Sequence, residues 1–354
     1  MKYKLAVGNH HQVNSLKFSK YNLLAAGMSS GEVITFDLNL SISASTSTKA
    51  LRFSAIPSYA MLIPPQFPSF QLLGEITDLA FDERSARYIA IATTRSGTWI
   101  YDTIYFTSLR LSKYPSSAVA FSPNENLLAV ARERTGEIEF YTLIRAGTLT
   151  FSLPTIAKSG YASTVTHMQW TSEGKSLLYC NDGQEGIRIL RVEGSLMTPP
   201  GSNLEDNVNK VEARYMGNIP TPLRVTPEDS IPYGGVPTGF ALDHSSRRLA
   251  ISYSQSPLLE VFAFSTAVSP AQALSVGLIR GPSAGKTASE KAKGKRPEGQ
   301  SPFEENSWVR ALCVDVGFVG QGEGGKRSLL AGGWNGEDGG KLAFVPFYLE
   351  DLNA

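Results

Sequence analysis

Apolar and polar residues trade places along this chain in short runs, with no sustained stripe at helical spacing. Val13, Leu16 and Phe18, and again Ile76, Leu79 and Phe81, stand among polar neighbours in the alternation that suits half-buried strands. Six segments repeat one design: residues 13–38, 76–103, 117–143, 165–192, 236–264 and 309–347. Each reads as an alternating stretch, a polar turn, a small-and-apolar stretch, a second polar turn and another alternating stretch. That is three strands per unit. Turns such as Ser122-Pro123-Asn124-Glu125 and Ser172-Glu173-Gly174 supply residues suited to hairpins.

Candidate fourth strands lie between the units, at residues 104–111, 147–153, 211–216 and 273–279. Four antiparallel strands repeated radially make a β-propeller, an all-β architecture that hides most strand edges. The expected fold is therefore a single β-propeller of six or seven four-stranded blades over residues 1–354. The last unit ends in a third strand at Lys341 to Tyr348, so Lys2 to Val7 is expected to supply its fourth strand and close the ring.

The run Ala118-Val119-Ala120-Phe121-Ser122-Pro123-Asn124-Glu125-Asn126-Leu127-Leu128-Ala129-Val130 resembles the WD40 repeat family, and Phe36-Asp37 and Tyr101-Asp102 stand at two of its Trp-Asp positions. Gly-His dipeptides are missing, and units four to six lack the terminal Asp, so the Asp-centred networks of strict repeats are not expected throughout. Unit starts are separated by 63, 41, 48, 71 and 73 residues, against roughly 40 to 45 for a plain repeat. Residues 39–73 and the proline-containing 193–235 are accordingly insertions or a degenerate blade. Residues 281–307 lack any apolar run able to offset the cost of ordering and read as a disordered basic loop, either simply solvated or a localisation or acidic-partner signal.

Composition narrows the class. With 42% hydrophobic residues, 18% charged residues and a net charge of +1, the chain is expected to build a large core and not to attract nucleic acid directly. Two cysteines, Cys180 and Cys313, are too few for a disulfide framework. The N-terminus turns polar at Asn9, and no window approaches the roughly 20 apolar residues of a membrane span, so neither export nor membrane insertion is expected.

Gly27-Met28-Ser29-Ser30-Gly31 fits a nucleophile-elbow pattern but joins strand to strand, whereas the motif works on a strand-to-helix turn. Gly281 to Thr287 falls one residue short of a phosphate-binding loop. The histidines His10, His11, His167 and His244 fall in different units without metal-motif spacing. No catalytic, metal or cofactor residues are assigned. A channel-borne active site is the open enzymatic alternative.

From residue 165 onward the chain also resembles the Aladin family of WD-repeat nucleoporins. The likeness rests on Gly277-Leu278-Ile279-Arg280-Gly281, on Ser328-Leu329-Leu330-Ala331-Gly332-Gly333-Trp334, and on Lys341-Leu342-Ala343-Phe344-Val345-Pro346-Phe347-Tyr348-Leu349. It implies a non-catalytic scaffold of the nuclear pore complex, held at the nuclear envelope by a transmembrane nucleoporin partner. The alternative is a generic WD40 adaptor in ubiquitin ligation or signalling, located in the cytoplasm. Either reading expects protein partners on the second-turn loops, where Arg95, Arg132, Arg134, Asn181, Asp182, Trp334 and Asn335 are the candidates and the three arginines suit an acidic partner.

Overall fold

The computed structural model describes residues 13–19, 23–37, 56–61, 72–158, 162–194, 211–265, 272–280, 312–321 and 327–348. Short interruptions fall at 83, 86, 104, 106, 124–125, 146–149, 152–153, 228–229, 244 and 337–338. No helix occurs among them, and hence none long and apolar enough to cross a membrane. The expected closing strand at residues 2–7 and the basic loop at 281–307 lie outside the described residues.

The strands form successive antiparallel sheets in chain order. The first holds β1 (Val13–Phe18), β2 (Leu23–Met28), β3 (Val33–Asp37) and β4 (Ile56–Met61). The second holds β5 (Ile76–Phe81), β6 (Tyr88–Thr93), β7 (Gly97–Asp102) and β8 (Thr107–Ser112). In the third, β9 (Ser116–Phe121), β10 (Leu127–Arg132) and β11 (Glu137–Arg145) are followed by β12 (Thr150–Phe151) and β13 (Thr155–Lys158). Both of these short strands pair with β11, on different halves of it, and share the fourth-strand place.

The fourth sheet runs β14 (Val165–Trp170), β15 (Ser176–Asn181), β16 (Ile187–Gly194) and β17 (Val211–Ile219). A small hairpin of β18 (Arg224–Val225) and β19 (Pro232–Tyr233) precedes the fifth sheet of β20 (Pro237–Leu242), β21 (Arg248–Tyr253), β22 (Leu258–Ser265) and β23 (Gln272–Arg280). The last described sheet is β24 (Leu312–Gln321), β25 (Arg327–Gly336) and β26 (Gly339–Tyr348). Residues 39–73 thus contain the fourth strand of the first sheet, and 193–235 contain β17 with the small hairpin. The chain divides into two compact units, residues 1–177 with 191–214 and residues 178–190 with 215–354.

The repeat is chemical as well as topological. The first turn closes with the same main-chain bond in four sheets: Asp82 N–H to Tyr88 O, Ser122 to Leu127, Thr171 to Ser176 and Asp243 to Arg248. Asp243 also accepts the N–H groups of Arg247 and Arg248, the local side-chain capping for which Asp, Ser and Thr are suited. Apolar side chains from β6, β10 and β21 are fully buried, for instance Ile89, Leu128 and Ile251. In the first unit one core joins Ala25 and Val33 to Ile76, Leu79, Ile91 and Trp99. In the second unit another joins Leu178, Ile189, Phe240, Ile251 and Phe262.

Trp170 fills the core as its strand position predicts. It is 5% exposed, its indole N–H donates to Ala120 O at 2.9 Å, and it meets Phe140 edge-on at 6.1 Å. Trp99 is likewise buried and donates to Ser96 O. One Trp-Asp position does carry an acid-centred network: Asp102, 2% exposed, takes both Nε and Nη2 of Arg87 and the main-chain N–H of Tyr105.

Candidate partner-binding surface

The first strands β1, β5 and β9 each carry a β-bulge near their start, and in these three sheets of the first unit the bulged residue ties one sheet to the next. The register of β1 shifts at Asn14, of β5 at Thr77 and of β9 at Ser117. An extra residue there turns a side chain out of the sheet's own ladder. Asn14 Nδ2 then donates to Ile76 O at 3.2 Å, Thr77 Oγ1 to Ser116 O at 2.8 Å, and Ser117 Oγ to Val165 O at 2.6 Å. Sequence reasoning missed this latch series. Its signal was a polar residue, Asn14, Thr77 and Ser117, standing second or first in the unit starts.

The latches stiffen the end of the first unit at which the second turns emerge. The β6–β7 turn is fixed by Thr93 Oγ1, which accepts from Ser96 N–H and donates to Gly97 O. Gly97 has φ +84°, and a Cβ there would lie 2.1 Å from Ser112 O, so only glycine lets the neighbouring chain approach. Arg95 projects from this turn, exposed and without an ion pair among the described residues.

Arg132 and Arg134 flank the β10–β11 turn and play different parts. Arg132 is drawn inward: Nη1 meets Glu137 at 2.6 Å, Nε meets Glu139 at 2.8 Å, and its guanidinium lies 4.2 Å from the centre of the Tyr114 ring. Glu139 is 1% exposed and also accepts the Tyr141 hydroxyl at 2.8 Å. Burial first, then that bond, push the Tyr141 phenol above its ordinary value. The charge of Arg132 is therefore consumed internally. Arg134 instead has φ +66°, an uncommon left-handed backbone for a residue with a Cβ, and its side chain is 85% exposed beside Glu133 at 3.3 Å. A turn that holds such a residue outward is a candidate for function.

In the second unit, Asn181 ends β15 and is buried, its amide oxygen accepting from Arg188 Nη1 at 2.5 Å, so its side chain serves its own hairpin. Asp182 follows it into the turn and is exposed. Trp334 and Asn335 belong to β25 itself, paired with Lys341 and Gly340, and not to a loop. Their side chains lie outside the described residues. The exposed candidates are therefore Arg95 and Arg134 in the first unit and, separately, Asp182 in the second.

Among the described residues no group of His, Cys, Asp or Glu is arranged to hold a metal ion.

No family model matches the sequence, and no curated protein matches it. Among solved structures, the chain is similar to the β-propeller domain of Cps50 (Swd1) from Myceliophteria thermophila, at 13% identity and a TM-score of 0.51, over 95% of this chain and 86% of that one. At that identity the likeness speaks to architecture. It agrees with the sheets described above: the chain has an all-β, β-propeller fold.

Proposed function

We propose that this protein is a non-catalytic protein-interaction scaffold, an Aladin-like component of the nuclear pore complex acting in nucleocytoplasmic transport, and that its ring has six or seven blades closed by the N-terminal strand. The observation that carries the scaffold reading is the investment of polar chemistry in holding turns: Thr93, Glu139 and Asp102 are buried and bonded within the sheets, while Arg95 and Arg134 face solvent. Polar groups gathered for catalysis would instead converge on a cleft. The nucleoporin reading is supported by the likeness of residues 328–334 and 341–349 to Aladin, of which 328–334 lie in β25 and 341–348 in β26. The partner is then a protein, anchored at the nuclear envelope in the manner of a transmembrane nucleoporin.

The adaptor alternative shares every feature of the fold and draws support from residues 1–150, where the Aladin likeness is absent. Tagging the protein in its own cell, imaging it and identifying co-purifying proteins by mass spectrometry separates the two. A rim at the nuclear envelope with a transmembrane nucleoporin is the expected result. Diffuse cytoplasm with another stable partner overturns the nucleoporin reading and leaves the adaptor.

A further inference from the structure

The outermost strand of the fifth sheet differs in chemistry from its counterparts. The exposed positions of β8, β13 and β17 include Arg110, Lys158, and Glu212 with Arg214, the charges that usually protect an open strand edge, beside the apolar Ile156 and Tyr215. Along β23 the exposed positions from 274 to 278 are Leu274, Ser275, Val276, Gly277 and Leu278, with no charge at all. Leu274 is 71% exposed, Val276 55% and Leu278 38%. Its inner edge pairs with β22, and no strand pairs with its outer edge among the described residues. One protective device is present, a bulge that leaves Val276 unmatched and confines the regular edge to Gln272–Ser275 and Gly277–Arg280.

Beside the first of these stretches lies a cleft lined by Asn218, Ile219 and Pro220 on one side and Gln272, Ala273 and Leu274 on the other. Its chemistry is apolar with two neutral amides. Cations stand at both ends of the strand. Arg280 is exposed at its finish, and Arg247 is exposed at its start, where the Arg247 carbonyl takes the N–H of Phe264, the residue paired with Ala273. Two strand spacings put Arg247 about 10 Å from β23.

We propose that β23 is a docking edge for an extended segment of another protein, apolar at alternate positions and acidic at its ends, which adds as a further strand along Gln272–Ser275 and seats one apolar side chain in the neighbouring cleft. Only a strand supplies alternating main-chain donors and acceptors to an open edge. The uncharged centre would leave a charged partner side chain desolvated without a counter-ion, while Arg247 and Arg280 favour carboxylates at the flanks. The surface goes beyond the scaffold reading and does not depend on the identity of the nucleoporin.

The test uses the full chain and a phage-displayed library of random nonapeptides, followed by a synthetic copy of the strongest binder. The expected binders alternate apolar residues and carry Asp or Glu at their ends. The peptide slows amide exchange in residues 272–275, and Leu274→Glu, at an exposed position that does not threaten folding, weakens it roughly tenfold or more. Binders that hold Leu274→Glu as well as the parent overturn the proposal. So does an edge already protected without peptide and unchanged by it, which would mean that the chain covers β23 itself. A wild-type dimer by light scattering that Leu274→Glu converts to monomer also overturns it, in favour of a second copy as the occupant.

Discussion

The carboxylate of Asp78 on β5 accepts the main-chain N–H of Val119 on β9 at 3.1 Å. The same side chain takes the Ser15 hydroxyl at 3.3 Å and lies 3.4 Å from the Lys17 ammonium, both on β1, and it accepts the N–H of Leu79 on its own strand. One acid, 7% exposed, therefore joins three first strands. Asp78→Ala strips several donors of their partner, and we expect a loss of about 3 kcal/mol in chemical denaturation. A variant as stable as the parent would show that the hub is incidental.

Trp170→Ala removes a buried indole together with its bond to Ala120 O. The cavity and the orphaned carbonyl should cost about 3 to 5 kcal/mol. Trp170→Phe keeps most of the packing against Phe140 and should recover more than half of the loss. Equal melting of all three proteins would contradict the packing described.

The bulge latches should act additively. Thr77→Val and Ser117→Ala each remove one donor to a neighbouring sheet and should cost about 1 kcal/mol. The double variant should lose about the sum, within ~0.5 kcal/mol, if the two bonds work independently. A double variant no worse than either single one would mean that the bonds form one cooperative unit.

Tyr253 makes stability fall at high pH. Its side chain is fully buried and donates to Glu260 at 2.6 Å, and burial first, then that bond, push the phenol well above its ordinary value. A folded value raised above the unfolded one of about 10 means the contribution is complete below pH ~10 and is lost as pH rises through the folded value. Denaturation midpoints should therefore drop from pH 10 upward. Tyr253→Phe should be less stable at neutral pH, because Glu260 loses a donor, and should show a shallower alkaline decline. A phenolate absorbance from Tyr253 in the intact fold would contradict this.

Much of the fold was legible because strands and tight turns leave local marks. The alternation at Ile76 to Phe81 and the Ser122-Pro123-Asn124-Glu125 turn each report one element by themselves. Fourth strands were less legible. The alternation of β23 is interrupted by its bulge, and β4 lies inside a stretch with no clear period between residues 39 and 73. At the candidate surface, exposure of Arg95 and Arg134 follows from their place in turns. The inward pull on Arg132 depends on Glu137 and Glu139 standing across the hairpin, and burial of Asn181 depends on Arg188; both are pairings set by register. Asp78 was invisible as a hub because its partners come from strands 41 and 63 residues away.

On the proposed scaffold function, the exposed turn arginines Arg95 and Arg134 bind a protein partner. The most direct measurement compares the wild-type protein with the Arg95→Glu, Arg134→Glu double variant, each tagged in its native cell and analysed by quantitative mass spectrometry, with melting temperatures measured in parallel. One stable partner with an acidic contact surface should be recovered with wild type and depleted about tenfold or more with the variant, while the two melting temperatures agree. Equal recovery of that partner by both proteins, or no stable partner with either, would contradict it.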